Sequence, residues 1–242
     1  MIQKTRAMVL QVTDYSEASI IVHAYTESLG LQSFLINGVR KQKARFAANL
    51  FQPLSLIELI AYIKKPGGLH RVSEVNASPA FQVIPYDTIK TTVAIFLGEV
   101  LYRSIREEEA NPDLFRFAES AILLYDLHPE IVSGFHLVFM IQLARYLGFY
   151  PGGRYQASSP YFDLQEGQFI ESAPMRHPYF LKPENAKDFD RLLDISLEDS
   201  GTLGLSGKVR RQLLETLVLY YELHHTQGMH IRSHLILAEV MS

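Results

Sequence analysis

The sequence predicts an α+β protein: a five-stranded β-barrel at the amino terminus, followed by an α-helical domain that carries a small β-hairpin insert. Three observations point there. Apolar residues alternate with a period of two in short runs up to about residue 75. Beyond Ser78-Pro79 the apolar spacing changes to steps of three and four. The charge divides at the same place. Residues 1–78 hold nine Lys and Arg against five Asp and Glu, a net +4, while the remaining 14 basic and 21 acidic residues give −7. Opposed halves indicate two domains, the first facing a polyanion. The predicted boundaries are 1–79 for the barrel and 80–242 for the helical domain, with the insert at about 150–180.

Each strand has its own signal. Met8, Leu10 and Val12 alternate with Ala7, Val9 and Gln11. The run from Ala18 to Tyr25 is β-branched and aromatic, as strands prefer. A third run, Gln32 to Asn37, lies between turn signals at Gly30 and Gly38, and a fourth spans Leu54 to Ile63 with Glu58 as its only charge. "KKPGG", Lys64 to Gly68, is a strong turn, and Leu69 to Val75 alternates again. Between strands three and four, Lys41 to Leu50 has room for one or two helical turns. Five strands with a helical insert after the third is the layout of an OB-fold.

The helices follow in order. Ile89, Val93, Phe96 and Val100 step by 4, 3 and 4, with Leu97, Leu101 and Ile105 beside them. Asn111-Pro112 is a cap followed by proline at the first helical position, opening a helix to about Leu127. A third helix runs from about Pro129 to Leu147 and stops at Gly148. "YFDLQEGQFI", Tyr161 to Ile170, reads as a hairpin. Further helices are predicted from Pro183 to Ser196, from an N-cap at Ser206 to about His225, and briefly after Met229.

Composition excludes several function classes. With 242 residues, 48% of them apolar, the chain has ample core. It has no cysteine, so disulfides, thiolate metal sites and cysteine catalysis are excluded. The opening MIQKTRAMVLQ has no apolar core or cleavage signal of a secretory leader. The most apolar long stretch, Ile131 to Phe149, is interrupted by His136, Gln142 and Arg145, so no membrane span is expected. A cytoplasmic, nucleoid-associated protein is the expectation.

Four cations, Arg40, Lys41, Lys43 and Arg45, crowd six positions, and no Asp or Glu lies between Glu27 and Glu58. Such a segment binds phosphates electrostatically. Phe34, Phe46 and Phe51 nearby are candidates for stacking on bases, or else for the barrel core. Lys4, Arg6 and Arg71 are candidate outer contacts on the same barrel. In the helical part, Lys208, Arg210 and Arg211 sit in the first turn of a helix, where the macrodipole is already positive; the turn is either simply solvated or meets an anion or acidic peptide that relieves the conflict. "GTLGLSGKVRR" fails as a phosphate loop, because Thr202 and Val209 stand where a glycine and a magnesium-binding hydroxyl are needed. His224, His225, His230 and His234 cluster near the carboxyl end and read as exposed helix-end residues rather than metal ligands. No nucleophile–base spacing stands out, so no catalytic residue, metal or cofactor is expected.

Lys4 to Leu59 resembles the N-terminal domain of the RecO family, bacterial recombination mediators. The likeness is carried by the Thr5 to Leu10 start, "YSEAS" with Glu17, "YTESLG" at Tyr25 to Gly30, "NGVRKQKAR" and "LFQPL". Farther on, "LARYLGFYP", Leu143 to Pro151, is similar to the helix end that precedes the family's zinc module. The resemblance implies an OB-fold, a helical C-terminal domain, and binding of single- and double-stranded DNA with annealing of complementary strands. It implies help, together with RecR, in loading RecA onto DNA coated by single-strand-binding protein, and binding of that protein's acidic tail through the helical domain. Arg145 and the cluster Lys208, Arg210 and Arg211 are the candidates for that tail. Where many members carry four zinc-binding cysteines, this chain has "YPGGRYQASSPYFDLQEGQFIESAP"; aromatic packing by Tyr155, Tyr161, Phe162 and Phe169 is expected to replace the metal. Two other readings stay open: a protein-interaction adaptor with a vestigial OB domain, and an RNA-binding OB module.

Overall fold

The computed structural model describes residues 1–39, 46–63, 68–105, 109–128, 133–225 and 229–241. The chain forms two compact units, Met1–Leu127 and His128–Ser242. No described helix is long and apolar enough to cross a membrane.

The first unit is built on a closed barrel of five strands: β1 (Ile2–Ser16), β2 (Ser19–Thr26), β3 (Gly30–Ile36), β4 (Leu56–Tyr62) and β5 (Leu69–Ala77), in the order β1-β2-β3-β5-β4. This is the OB-fold layout, with a short 3-10 turn, Ala48–Phe51, between β3 and β4. β1 is longer than its alternation predicts, because one strand serves two neighbours. Ile2 to Met8 pair with β4 and Ala7 to Ser16 with β2, which closes the barrel. The interior mixes small and large side chains, Ala7, Ala24 and Ala61 against Phe34, Phe46 and Phe51. That alternation fits the taper of a small barrel.

β1 is buried on its other face as well. Met8 and Leu10 point out of the barrel yet are 1% and 3% exposed. Helix α1 (Thr88–Ser104) covers this side. The approach is close: a Cβ at Gly98 would lie 3.3 Å from the Leu10 carbonyl oxygen. Helix α2 (Pro112–Leu127) packs against β2, where the Tyr25 and Phe115 rings are 6.1 Å apart. The predicted cap of α2 is in place: Asn111 accepts the Leu114 backbone N–H at 3.0 Å. The cap of α1 is Asp87, which the sequence reading did not mark and which accepts the Lys90 backbone N–H at 2.9 Å. The Lys90 ammonium is buried and donates to the carbonyls of Tyr125 and Asp126 at 2.7 and 2.8 Å, tying the start of α1 to the end of α2.

The second unit centres on α3 (Phe135–Tyr146), of whose twelve residues nine are buried. α3 begins later than predicted, after Gly134; residues 129–132 of the predicted helix lie outside the described residues. Gly148, at φ +84°, ends it in the left-handed conformation that glycine adopts without strain. The predicted hairpin is β6 (Tyr161–Asp163) with β7 (Gln168–Ile170), and β8 (Phe180–Leu181) extends it to a three-stranded sheet. α4 (Pro183–Arg191) stops five residues short of its predicted end. Its last turn is fixed by the Arg154 guanidinium, which donates to Asp190 at 2.7 Å and also pairs with Asp194. α5 (Gly207–His224) starts at the predicted cap, Ser206, and α6 (Ser233–Val240) follows.

The chain has no cysteine, and an aromatic cluster supports the small sheet. Phe162 is fully buried, with its ring centroid 4.9 Å from Phe169, 4.6 Å from Phe189 and 6.0 Å from Tyr220. Of the four aromatics expected there, Phe162 and Phe169 join this cluster. Tyr161 packs on Phe180 at 6.0 Å, while Tyr155 is anchored by its backbone N–H on Asp190.

Candidate nucleic-acid interface

Three rows of outward-facing residues cross β1, β4 and β5. They decide which barrel cations are free. Arg6 lies opposite Glu58 in the first row, Lys4 opposite Ile60 and Glu74 in the second, and Ile2 opposite Tyr62 and Arg71 in the third. Arg6 donates through Nε and Nη2 to Glu27 at 2.9 and 2.7 Å, and through Nη1 to Glu119 at 2.8 Å. Its guanidinium also lies over the Phe115 ring, 5.4 Å from the centroid. The hydrogen bonds to Glu27 raise the guanidinium pKa above its ordinary value, and the same bonds hold the Glu27 carboxyl below its usual range. Lys4 pairs with Glu58 at 2.8 Å. Arg71, in the third row, is exposed and makes no ion pair among the described residues. Arg40, Lys41, Lys43 and Arg45 lie outside the described residues, in the connection from β3 to the 3-10 turn.

The three phenylalanines weighed for base stacking are core residues. Phe34, Phe46 and Phe51 are 1%, 9% and 5% exposed and belong to the barrel interior. The reason is register. Phe34 falls on the inward parity of β3, while Phe46 precedes the 3-10 turn and Phe51 is its last residue, both packed in the barrel core. The aromatics open to solvent on the barrel are Tyr15 and Tyr62, at 59% and 49%. Tyr62 ends β4 two residues before "KKPGG", and that position was its only signal in the sequence. The same turn is the β4–β5 connection, one of the loops through which OB-folds contact oligonucleotides. Lys64 and Lys65 therefore join the candidate cations by sequence position, outside the described residues.

In the second unit, Lys208, Arg210 and Arg211 come together on the rim of a groove of about 350 Å³. Its floor is apolar, from Leu214, Leu237 and Met241, with His136 beneath. Arg210 donates to the carbonyls of Leu205 and Met241 at 3.1 and 3.2 Å, and Arg211 pairs with Glu215 at 3.0 Å. Lys208 is exposed and makes no ion pair among the described residues. Burial pushes the His136 imidazole down to about 3, with the nearby Arg210 charge adding to the shift, so it is neutral at physiological pH. Arg145 is not part of this groove. Its guanidinium lies 4.2 Å from the Tyr150 ring centroid and donates to the Tyr150 hydroxyl at 2.9 Å.

The histidines divide. His230 is exposed, as expected, but His224 is not a free helix end. It stacks on Phe149 at 5.3 Å, and its Nε2 lies 3.0 Å from the Leu164 carbonyl oxygen. Among the described residues no group of three or more His, Cys, Asp or Glu is placed to hold a metal ion.

Two family models account for most of the chain. Residues 1–81 match the Recombination protein O N-terminal model and residues 85–232 the C-terminal one. Among similar curated proteins, the DNA repair protein RecO of Bacteroides fragilis is 38% identical over 224 residues, 93% of each chain. That of Phocaeicola vulgatus is 36% identical over 242 residues, the whole of both chains, and that of Flavobacterium psychrophilum 35% over 240 residues, 99% of each. The closed five-stranded barrel, the helices behind it and these matches agree: the chain belongs to the RecO family, and its role lies in DNA repair and recombination.

Proposed function

We propose that this chain is a non-enzymatic recombination mediator. It binds single- and double-stranded DNA, anneals complementary single strands, and acts with RecR to help load RecA onto DNA coated by single-strand-binding protein. In this reading residues 1–79 carry the DNA contacts, residues 80–242 carry protein contacts, and the protein works in the cytoplasm on the nucleoid. The observation that carries the proposal is the charge of the OB barrel, +4 over residues 1–78, with four cations at 40–45 and no acid between Glu27 and Glu58. Arg71 adds an exposed cation on the same barrel that makes no ion pair among the described residues. Lys4 and Arg6 reach phosphate only by giving up carboxylate partners, so they are outer contacts at most.

Annealing follows from the same electrostatics. Cations screen the repulsion between two phosphate chains while bases that are not read by hydrogen bonds stay free to pair. Duplex formation supplies the free energy, so no nucleotide hydrolysis is required. The test is fluorescence anisotropy of a labelled single strand across salt concentrations. Neutralising four to six phosphates gives a log–log slope of about −3 to −4. Reversing charge at Arg40, Lys41 and Lys43 flattens that slope and weakens binding with the fold intact; unchanged affinity at moderate salt overturns the assignment.

The groove beside Lys208 supports the second contact, the acidic, aromatic-ended tail of the coating protein. An apolar floor takes the aromatic end and the basic rim takes the acids. Lys208→Glu is expected to lower the affinity of a tail peptide about tenfold, the effect of losing one charge-assisted contact. Arg145, stacked on Tyr150 away from this groove, is the weaker candidate, and Arg145→Ala measured with the same peptide decides its part.

A further inference from the structure

We infer that the third outward row of the barrel, Leu35–Arg71–Tyr62–Ile2, is a stacking platform for the bases of single-stranded DNA; this rests on the DNA-binding reading above and names the surface that receives the bases. The row is continuous across four strands. Leu35 of β3 pairs in register with Arg71 of β5, Arg71 with Tyr62 of β4, and Tyr62 with Ile2 of β1. All four fall on the outward parity of their strands: Ile2 is 61% and Tyr62 49% exposed, Arg71 is exposed and Leu35 half-buried.

Three features separate this row from the rest of the surface. It places an aromatic ring beside an unpaired guanidinium, a combination that takes a base on the ring and the adjoining phosphate on the cation. In the two rows below it the cations are neutralised, Arg6 by Glu27 and Glu119 and Lys4 by Glu58. Glu74 lies opposite Ile60 in the second row and further disfavours phosphate there, which confines the strand to the end row. The apolar flanks, Ile2 and Leu35, suit the faces of neighbouring bases and repel none. A folded protein tolerates such apolar groups singly; three aligned across adjoining strands beside a cation with no ion pair among the described residues mark a binding surface. Duplex DNA, whose bases are already stacked inside, gains nothing from the ring, so the platform distinguishes single from double strands.

The experiment uses the full chain and a fluorescein-labelled oligothymidylate. Tyr62→Ala is expected to weaken binding roughly five- to a hundredfold, as loss of base–aromatic stacking does. The salt slope stays unchanged because no phosphate contact is lost. Arg71→Ala is expected to reduce the slope by about 0.7. Tyr62→Phe retains wild-type affinity, Tyr15→Ala leaves it unchanged, and an abasic strand binds wild type and Tyr62→Ala equally. If wild type binds with the expected salt dependence while Tyr62→Ala binds within twofold of it, the platform is refuted and the mediator reading stands. If wild type binds no strand, both fall. Photocrosslinking of a 5-bromodeoxyuridine strand to the unmodified protein covers a misfolded variant: adducts on the peptide containing Tyr62 support the platform, and adducts found only elsewhere overturn it.

Discussion

Arg6 joins two acids that are far apart in the chain, Glu27 and Glu119, and its loss leaves both without their shared cation. Glu119 is the more buried of the two, with 13% of its side chain exposed. Charge-assisted bonds of this kind contribute about 1.5–3 kcal/mol each, and solvent screening at Glu27 reduces the sum. Arg6→Met is therefore expected to lower stability by about 1–3 kcal/mol, read as a lower urea midpoint. The pH dependence has a definite sign. Glu27 is depressed in the folded state, so its contribution is complete above the ordinary carboxylate range and is lost as pH falls through the depressed value. Arg6→Met then removes part of the acid sensitivity, which unfolding at successively lower pH measures. None of this was legible from the sequence: Arg6 counted there as a free cation, because its partner Glu119 lies 113 positions away. Phe46 and Phe51 were open to either reading, base stacking or core. The 3-10 turn between β3 and β4 settles them as core, because Phe51 is its last residue and Phe46 lies just before it.

At the scale of elements, the alternation of strands and the three-and-four spacing of helices located nearly all the long elements, since both periods follow directly from backbone geometry. What the period conceals is a strand buried on both sides. Ala7, Met8, Val9 and Leu10 run without a polar break because Ala7 and Val9 fill the barrel while Met8 and Leu10 lie on the helical side. Gly98→Val tests that contact. Its branched side chain has no room over the Leu10 carbonyl, and the expected cost is about 1–3 kcal/mol, measured by thermal or urea unfolding. β8 was not readable, because two residues carry no period and that strand exists through its pairing with β6. His136 belongs to α3 and packs neutral. An unfolded histidine takes up a proton near pH 6.5, whereas this one does so near 3. Stability is thus full above about 6.5 and falls below it by up to about 1.4 kcal/mol per pH unit. His136→Leu is expected to flatten the unfolding free energy across that window.

Over the whole molecule, the division of charge was visible in composition, but its availability was not. Counting gives the first 78 residues a net +4; the ion pairs at Lys4 and Arg6 then leave Arg71 as the exposed, unpaired cation of the three named on β1 and β5. A count cannot report this, because carboxylates brought in by folding come from the β2–β3 turn, β4 and α2. The seam of the barrel has a consequence for how the chain is made. β1 is synthesised first, yet its partner across the seam is β4, and Ile2 meets Tyr62. On the ribosome β1 must wait, with its apolar run Ala7 to Leu10 uncovered and one hydrogen-bonding edge unpaired, until the fourth strand has emerged.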